Sequence, residues 1–426
     1  MGHRLDRRAG VGRKRGREAV IPLEEARARI LERIVPLGEE TVALEEALDR
    51  TLSTGISARE SIPPFDNTAM DGFAVRSRDL AAAAPGTPVR LPVAERIEAG
   101  RPPSRPLAAG EAMRILTGAP IPAGADAVVP FERCAAYDDR SATFATPIEP
   151  GAHLRRAGED FAAGDEVLAA GARLGPAAIG VLATVGCARV PVRRRPRVAV
   201  HSSGDELVPI ETPLSPGKIR NSNLYSIAAR LRRWGAVPIP RPVLRDDREA
   251  IRRGLLATLE FAPDAIVTTG GISAGDLDHI REVARELGDD IAVRQVDMKP
   301  GKPLVDGRIG GVPYFGLPGN PAACLVSFEI FVRPALARME GRADGLLPRR
   351  QARVLRGRTF ARAGRLQLLR GRIEYDDARH ELVLAPLGGQ GSHLLSSFAD
   401  ANCLVRVGPE ADRLEAGEMV EVWLLE

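Results

Sequence analysis

The 426-residue chain has only four cysteines, Cys134, Cys187, Cys324 and Cys403, and no two of them form a C-x-x-C pair. Neither a zinc site nor a disulfide framework is therefore expected, and a reducing cytoplasm fits best. No apolar run approaches 18 residues and the start carries no apolar signal stretch, which argues against a membrane span and against secretion. Lysine is nearly absent: of 60 basic residues only Lys14, Lys218, Lys299 and Lys302 are not arginine, and two of these share one KPGK. In a chain that uses arginine wherever either would serve, that pair marks a site needing a compact ammonium rather than a planar fork. Net charge is only +4, but Arg4, Arg7, Arg8, Arg13, Lys14, Arg15 and Arg17 crowd the start. No aromatic interleaves them as stacking on nucleic acid would need, so residues 1–17 read as a solvated, disordered tail and nucleic acid is not an expected partner.

What is present is globular. Hydrophobic residues make up 44% and charged residues 27%, enough to bury a sizeable core, and the length predicts about three domains. Gly and Pro, 43 and 34 residues, predict many defined turns and loop-borne function. Residues 18–55 read as helices, with Ile21, Leu23, Ala26, Ile30, Leu31 and Ile34 on helical spacing. Together with 151–192 they form an expected helical, elongated linker and dimerisation domain. Residues 56–150 break into short apolar runs punctuated by Pro and Gly, a β-rich inserted module. Residues 193–342 alternate strand and helix: RVAVH precedes a helix carrying Leu224, Ile227, Ala228, Leu231 and Trp234, and later strands precede helices with Ile251, Leu255 and Leu259 and with Ile280, Val283 and Leu287. This predicts a doubly wound α/β domain. Residues 343–426 read as about five short strands without helices, a small C-terminal β-barrel.

In an open parallel sheet, ligands bind outside the carboxyl ends of the strands. Five strand-end loops here are polar: SSGDEL (202–207), RDD (245–247), TTGGISAGDLDH (268–279), KPGKP (299–303) and GLPGNPA (316–322). The TTGGISAGD loop can cradle a phosphate on its N–H groups and the following helix N-terminus, yet it is neither G-x-G-x-x-G nor a Walker loop. Glu206, Asp246 and Asp278, on three such loops, can converge on a hard divalent cation such as Mg²⁺, with Lys299 and Lys302 neutralising the anion. Asp246 also reads as a plain helix cap. DNTAMDG (66–72) and ILTGAP (115–120) read equally as turns. Arg370 ends an apolar strand and Ser392 sits in GQGSHLLSSF, a guanidinium and a hydroxyl suited to a tetrahedral oxyanion. His279 and His393 flank glycine-rich loops but lack a third metal ligand.

Taken in order, PPFDNTAMDGFAV, RILTGAPIPAGADAVV, the GED at 158–160, SSGDEL, TTGGISAGDLDH, MKPGKP, GLPGNPA and GSHLLSSF resemble the molybdopterin molybdenumtransferase family, MoeA in bacteria and the E domain of gephyrin in animals. The resemblance spans about residues 20–426. It implies a MogA-like α/β domain and a Mg²⁺-dependent enzyme of molybdenum cofactor biosynthesis. Such an enzyme hydrolyses adenylylated molybdopterin, inserts molybdenum from molybdate into the dithiolene and releases AMP. It also implies a cytoplasmic homodimer whose active site joins the β-rich module of one subunit to the other domains of its partner. Contacts with molybdopterin adenylyltransferase and with recipient molybdoenzymes follow from the same resemblance. By the same token Asp278 assists attack on the phosphoanhydride, Asp246 and Glu206 hold the metal, and Asp66, Thr117 and Asp160 complete the cleft. Gly270, Gly271, Ser273, Lys299, Lys302, Pro318, Asn320 and Pro321 line the substrate site, and Arg370 and Ser392 hold molybdate. Gln295 and Ala323 depart from the residues common at those positions, Lys or Arg and Ser. Two rival readings are an adenylyltransferase, whose single α/β domain resembles 197–340, and a non-catalytic scaffold of the gephyrin type.

Overall fold

The computed structural model describes residues 20–272, 279–386 and 388–425. The basic start, Ser273 and Asp278 lie outside the described residues. The chain forms two compact units, one made of residues up to 40 with those from 193 onward, the other of residues 41–192.

The first unit is built on a seven-stranded sheet. Its strands are β1 (Val20–Ile21), β2 (Arg197–Ser202), β3 (Val237–Pro240), β4 (Ala265–Thr269), β5 (Gly288–Val296), β6 (Pro303–Ile309) and β7 (Val312–Leu317), in the spatial order β1-β5-β6-β7-β4-β2-β3. β3, β2, β4 and β7 run parallel, with Val198 opposite Ala265 and Val267 opposite Phe315, while β6 runs antiparallel to both of its neighbours. β2 beyond its first residue and all of β4 are buried, as expected of parallel strands covered on both faces. Side chains alternate across the pleat, so Val198 and Val200 pack to one side and Ala199 to the other.

Two helical layers cover those faces. α1 (Leu23–Leu31), α2 (Ser222–Arg233), α5 (Pro321–Ser327) and α6 (Arg333–Met339) bury Leu23, Ile30, Ile227, Leu231 and Leu336 against the first face. α3 (Arg248–Leu259) and α4 (His279–Leu287) bury Ile251, Leu255, Ile280 and Val283 against the second. Each such side chain contributes ~1.5–3 kcal/mol of burial, so the sheet is held from both sides, a doubly wound domain. The barrel follows: β8 (Arg349–Val354), β9 (Leu366–Asp376), β10 (Glu381–Pro386), β11 (Cys403–Val407) and β12 (Met419–Leu424) pair in the closed cycle β9-β10-β8-β12-β11-β9. Closure removes the unpaired sheet edges that five short strands would otherwise expose.

In the second unit a six-stranded sheet runs in the order 127–130, 72–75, 112–115, 89–97, 141–144, 134–137. Its two faces carry separate cores, around Phe73 and Phe144 and around Met113 and Ile115. A smaller core joins Ala47 and Leu52 to Leu174, Leu182, Val190 and Val192. The helical reading of 18–55 is corrected here. Among its described residues only Leu23–Leu31 is α-helical, followed by strand Glu39–Ala43 and a single 3₁₀ turn at Leu44–Glu46. Pro36 and Gly38 break the apolar periodicity. Beyond them Thr51 and Leu52 bridge Arg173 and Val192, so tertiary pairing overrides a helix-favouring run.

Candidate functional site

The carboxyl ends of β2, β4 and β7 and the barrel strand β9 enclose a cavity of about 960 Å³. The loops at its floor are packed backbone to backbone. Gly270 has φ +91°, and a Cβ there would stand 2.6 Å from the Ser203 carbonyl oxygen, so only glycine lets these two loops meet. Gly301 in the lysine loop, at φ +98°, likewise presses on α5, where a Cβ would stand 2.6 Å from Ser327 Oγ.

Two of the three expected metal carboxylates meet in this cavity, Glu206 after β2 and Asp246 before α3. The capping alternative for Asp246 is corrected by the structure: the cap is Asp247, whose carboxylate accepts from Ala250 N at 2.7 Å. Asp246 is instead turned toward β2, accepting from Ser203 Oγ at 3.1 Å and from Asp205 N at 3.2 Å, while its own N–H donates to Asp205 Oδ1 at 3.3 Å. Asp205, unmarked in the sequence, thus ties the RDD loop to the SSGDEL loop. Asp278, the third carboxylate, lies outside the described residues, as does Ser273. Among the described residues no three His, Cys, Asp or Glu side chains gather as a metal cluster.

Lys299, Lys302, Gly270, Gly271, Pro318, Asn320 and Pro321 all border the same cavity. Asn223, near the start of α2, fixes the GLPGN loop by donating from Nδ2 to the Gly319 carbonyl at 2.8 Å, and its buried Oδ1 has no partner among the described residues. The start of α2 is itself tied to the end of β2: Asn221 Oδ1 accepts from Ser202 Oγ at 2.8 Å and from Leu224 N at 3.3 Å.

The barrel supplies the opposite wall. Arg370 is 1% exposed, yet among the described residues its guanidinium makes two bonds, Nε to Ser397 Oγ at 2.9 Å and Nη2 to the Gly391 carbonyl at 3.0 Å. Its Nη1 is buried without a partner among the described residues. Burial, and secondarily the charge of Arg358, pulls its pKa down to about 10. A buried cation with an open N–H beside a cavity has the chemistry to receive an anion. Ser392 lies within reach of α5, its Oγ accepting from Asn320 Nδ2 at 3.2 Å, which leaves its own proton free to be donated. His393 borders the cavity whereas His279 does not. Ala323 borders it as well, while Gln295 sits in β5 opposite Val20.

The remaining expected residues belong to the second unit. Asp66 accepts from Ala157 N at 2.8 Å and from Arg156 Nη1 at 2.6 Å, and these two bonds, the backbone one first, hold its carboxyl below the usual range. Asp160 is anchored by its backbone, N–H to the Ile62 carbonyl at 3.0 Å. Thr117 is held by a residue passed over in the sequence, Asp71, whose Oδ1 accepts from both Thr117 Oγ1 and Thr117 N at 2.7 Å. The Thr117 hydroxyl and then its N–H keep the Asp71 carboxyl ionised below its ordinary range. DNTAMDG holds two acids, Asp66 and Asp71, and both accept hydrogen bonds in the structure.

Comparison with known proteins agrees over most of the chain. Residues 21–186 match the MoeA N-terminal region (domains I and II), 199–338 the probable molybdopterin binding domain, and 352–425 the MoeA C-terminal region (domain IV). The chain is 39% identical over 388 residues to molybdopterin molybdenumtransferase 2 of Mycobacterium tuberculosis, covering 90% of this chain and 94% of that one. It is 34% identical to molybdopterin molybdenumtransferase of Bacillus subtilis, covering 95% and 94%. A crystal structure of the molybdopterin biosynthesis MoeA protein from Pyrococcus horikoshii superposes with a TM-score of 0.81 at 28% identity, covering 95% of this chain and 100% of that one.

Proposed function

The chain belongs to the molybdopterin molybdenumtransferase (MoeA) family, a family of molybdenum cofactor biosynthesis, and from that membership we propose that it hydrolyses adenylylated molybdopterin and transfers molybdenum from molybdate to the dithiolene, releasing AMP. The observation that carries this reading is one cavity bordered by two carboxylates, two lysines and a buried arginine with an N–H that has no partner among the described residues. Phosphoryl transfer needs no covalent protein chemistry, only positioning and stabilisation of charge. Lys299 and Lys302 neutralise the phosphoanhydride. Water attacks phosphorus, the bridging oxygen leaves, and AMP separates from the molybdopterin phosphomonoester, with Asp278 assigned to assist the attack.

The donor set fits a magnesium ion, since Glu206 and Asp246 are hard oxygen donors on adjoining loops and Mg²⁺ is commonly held by one or two carboxylates together with substrate phosphate oxygens. Bound there, it would neutralise charge on the phosphoryl oxygens. Arg370 and Ser392 hold molybdate from the barrel side. This barrel contribution favours the transferase over an adenylyltransferase built from the α/β domain alone. The same reading takes the protein as a cytoplasmic homodimer in which Asp66, Thr117 and Asp160 act on the same substrate.

The test is AMP release from adenylylated molybdopterin with Mg²⁺ and molybdate, comparing wild type with Glu206→Gln and Asp278→Asn. Molybdate-dependent release should fall by about 10²-fold or more in each variant, the usual loss for one electrostatic group. No release by folded wild type would overturn the reading.

A further inference from the structure

The two groups assigned to the oxyanion, Arg370 and Ser392, are joined by hydrogen bonds that run through three consecutive residues. Gln390 meets the Arg370 backbone in both senses: its Oε1 accepts from Arg370 N at 2.9 Å and its Nε2 donates to the Arg370 carbonyl at 3.0 Å. The Gly391 carbonyl accepts from the guanidinium itself, through Nη2 at 3.0 Å. The Ser392 carbonyl then accepts from Ala322 N at 2.9 Å, in the first turn of α5, while its Oγ accepts from Asn320 Nδ2 at 3.2 Å. One short segment thus holds the strand, its cation and the GLPGN loop.

The sheet shows why a side chain is needed there. β11 occupies one edge of β9 from Gln367 to Gly371. The other edge is held by Met298–Lys299 at Leu366 and Gln367 and by β10 from Gly371 onward. Leu368, Leu369 and Arg370 fall in the gap between those two strands. A primary amide carries the donor and the acceptor of a peptide group, so Gln390 supplies at Arg370 the rung that neither strand reaches. Arg370 is 1% exposed, and without that rung its backbone N–H and carbonyl would lose their partner in a buried place.

We propose that Gln390 is a positioning residue of the oxyanion site: by closing the gap in the edge of β9 it fixes the backbone from which the Arg370 guanidinium is presented to the anion. This rests on the assignment of Arg370 to molybdate in the proposed function. Gln390 acts through Arg370 and not on the anion. Its loss leaves the guanidinium bonded to Ser397 and Gly391 but lets the strand beneath it shift, so the anion must order its own receptor and binds more weakly.

The experiment uses the full-length protein, with molybdate alone and AMP alone as probes in equilibrium dialysis, on wild type, Gln390→Met and Arg370→Met. Methionine keeps the length and removes both bonds. Gln390→Met should weaken molybdate binding about tenfold, the lower end of the usual cost of removing a group that orients a ligating side chain. The KM for molybdate should rise with it, while AMP binding and kcat for AMP release at saturating molybdate stay. In an Arg370→Lys background, whose flexible ammonium needs no fixed fork, the same change should cost less than about twofold. A full tenfold loss there assigns Gln390 to the anion directly and overturns the positioning role. If Gln390→Met does not fold, Gln390→Asn, whose amide is drawn back by one methylene, should show the same weakening. A fall in molybdate binding, AMP binding and kcat together makes Gln390 merely structural and overturns the proposal. Unchanged molybdate binding in a folded Gln390 variant, with binding lost in Arg370→Met, overturns the role of Gln390 and leaves the anion assignment standing. A wild type that binds no molybdate overturns both the proposal and the anion assignment beneath it.

Discussion

Replacing Arg370 by methionine should abolish the function assigned to it without destabilising the fold. Burial pulls the guanidinium from its ordinary range down to about 10, so keeping it charged in the fold costs about 3 kcal/mol. The sign follows from proton counting: between pH 10 and 12.5 the unfolded chain retains a proton the folded chain has released, so the penalty fades as pH rises through that window. At the pH of an assay, well below 10, it is present in full. Against this relief, methionine forfeits the bonds to Ser397 Oγ and to the Gly391 carbonyl. Ser397 keeps its bond to the Leu394 carbonyl at 2.6 Å, so the main loss is one carbonyl, ~1–3 kcal/mol. The balance is zero to about 2 kcal/mol in favour of the variant. Urea denaturation of the ligand-free protein should give a midpoint equal to or above that of wild type, and molybdate should raise the midpoint of wild type only. A midpoint well below wild type would make Arg370 a structural cation and refute the reasoning.

The two neighbouring acids before α3 should separate cleanly. Asp247→Ala removes the cap on Ala250 N and should lower stability by ~1 kcal/mol with activity retained, whereas Asp246→Asn should keep the thermal midpoint and lose Mg²⁺-dependent AMP release. His201 is 1% exposed, and burial, against the pull of its Nδ1 contact with the Pro242 carbonyl, lowers its pKa to about 4 from 6.5. Between those values the unfolded chain binds the extra proton. Stability should therefore fall by up to about 3 kcal/mol as pH drops from 6.5 to 4, a slope that His201→Gln should flatten in urea titrations at each pH.

The α/β domain was legible because its signals are redundant. RVAVH and DAIV are short, apolar and bounded by polar loops, and the intervening helices repeat their apolar residues at three and four, so period and length agree. The barrel was legible from alternation alone. Residues 39–53 were not, because TVALEEAL has helical propensity and the true partners lie more than 100 residues away, the strand Arg189–Arg193 for Glu39–Ala43 and Arg173 and Val192 for Thr51 and Leu52. The site divides in the same way. Charged residues at strand ends, Glu206, Asp246, Lys299 and Lys302, could be found because an open parallel sheet says where to look. Asp246 and Asp247 could not be told apart, since either can cap and only the backbone dihedrals of the loop decide which one does.

Neutral residues were invisible for a different reason. Gln367 sits inside RLQLLRG, where one amide among leucines reads as the solvent-facing half of an alternating strand. In the fold it is 2% exposed, paired opposite Val407 of β11, and its Nε2 has no partner among the described residues. Asn223 is comparable: by its sequence it is one more polar residue near a helix start, yet its Nδ2 fixes the GLPGN loop and its Oδ1, on a residue lining the same cavity, has no partner among the described residues. Among the described residues two unpaired groups fall on opposite walls with opposite character, the Arg370 Nη1 donor on the barrel and the Asn223 Oδ1 acceptor on the α/β domain. A ligand satisfying both must present anionic oxygens to one wall and an N–H to the other. A pterin that carries phosphate and receives an oxyanion metal has that polarity, which neither wall could have specified alone.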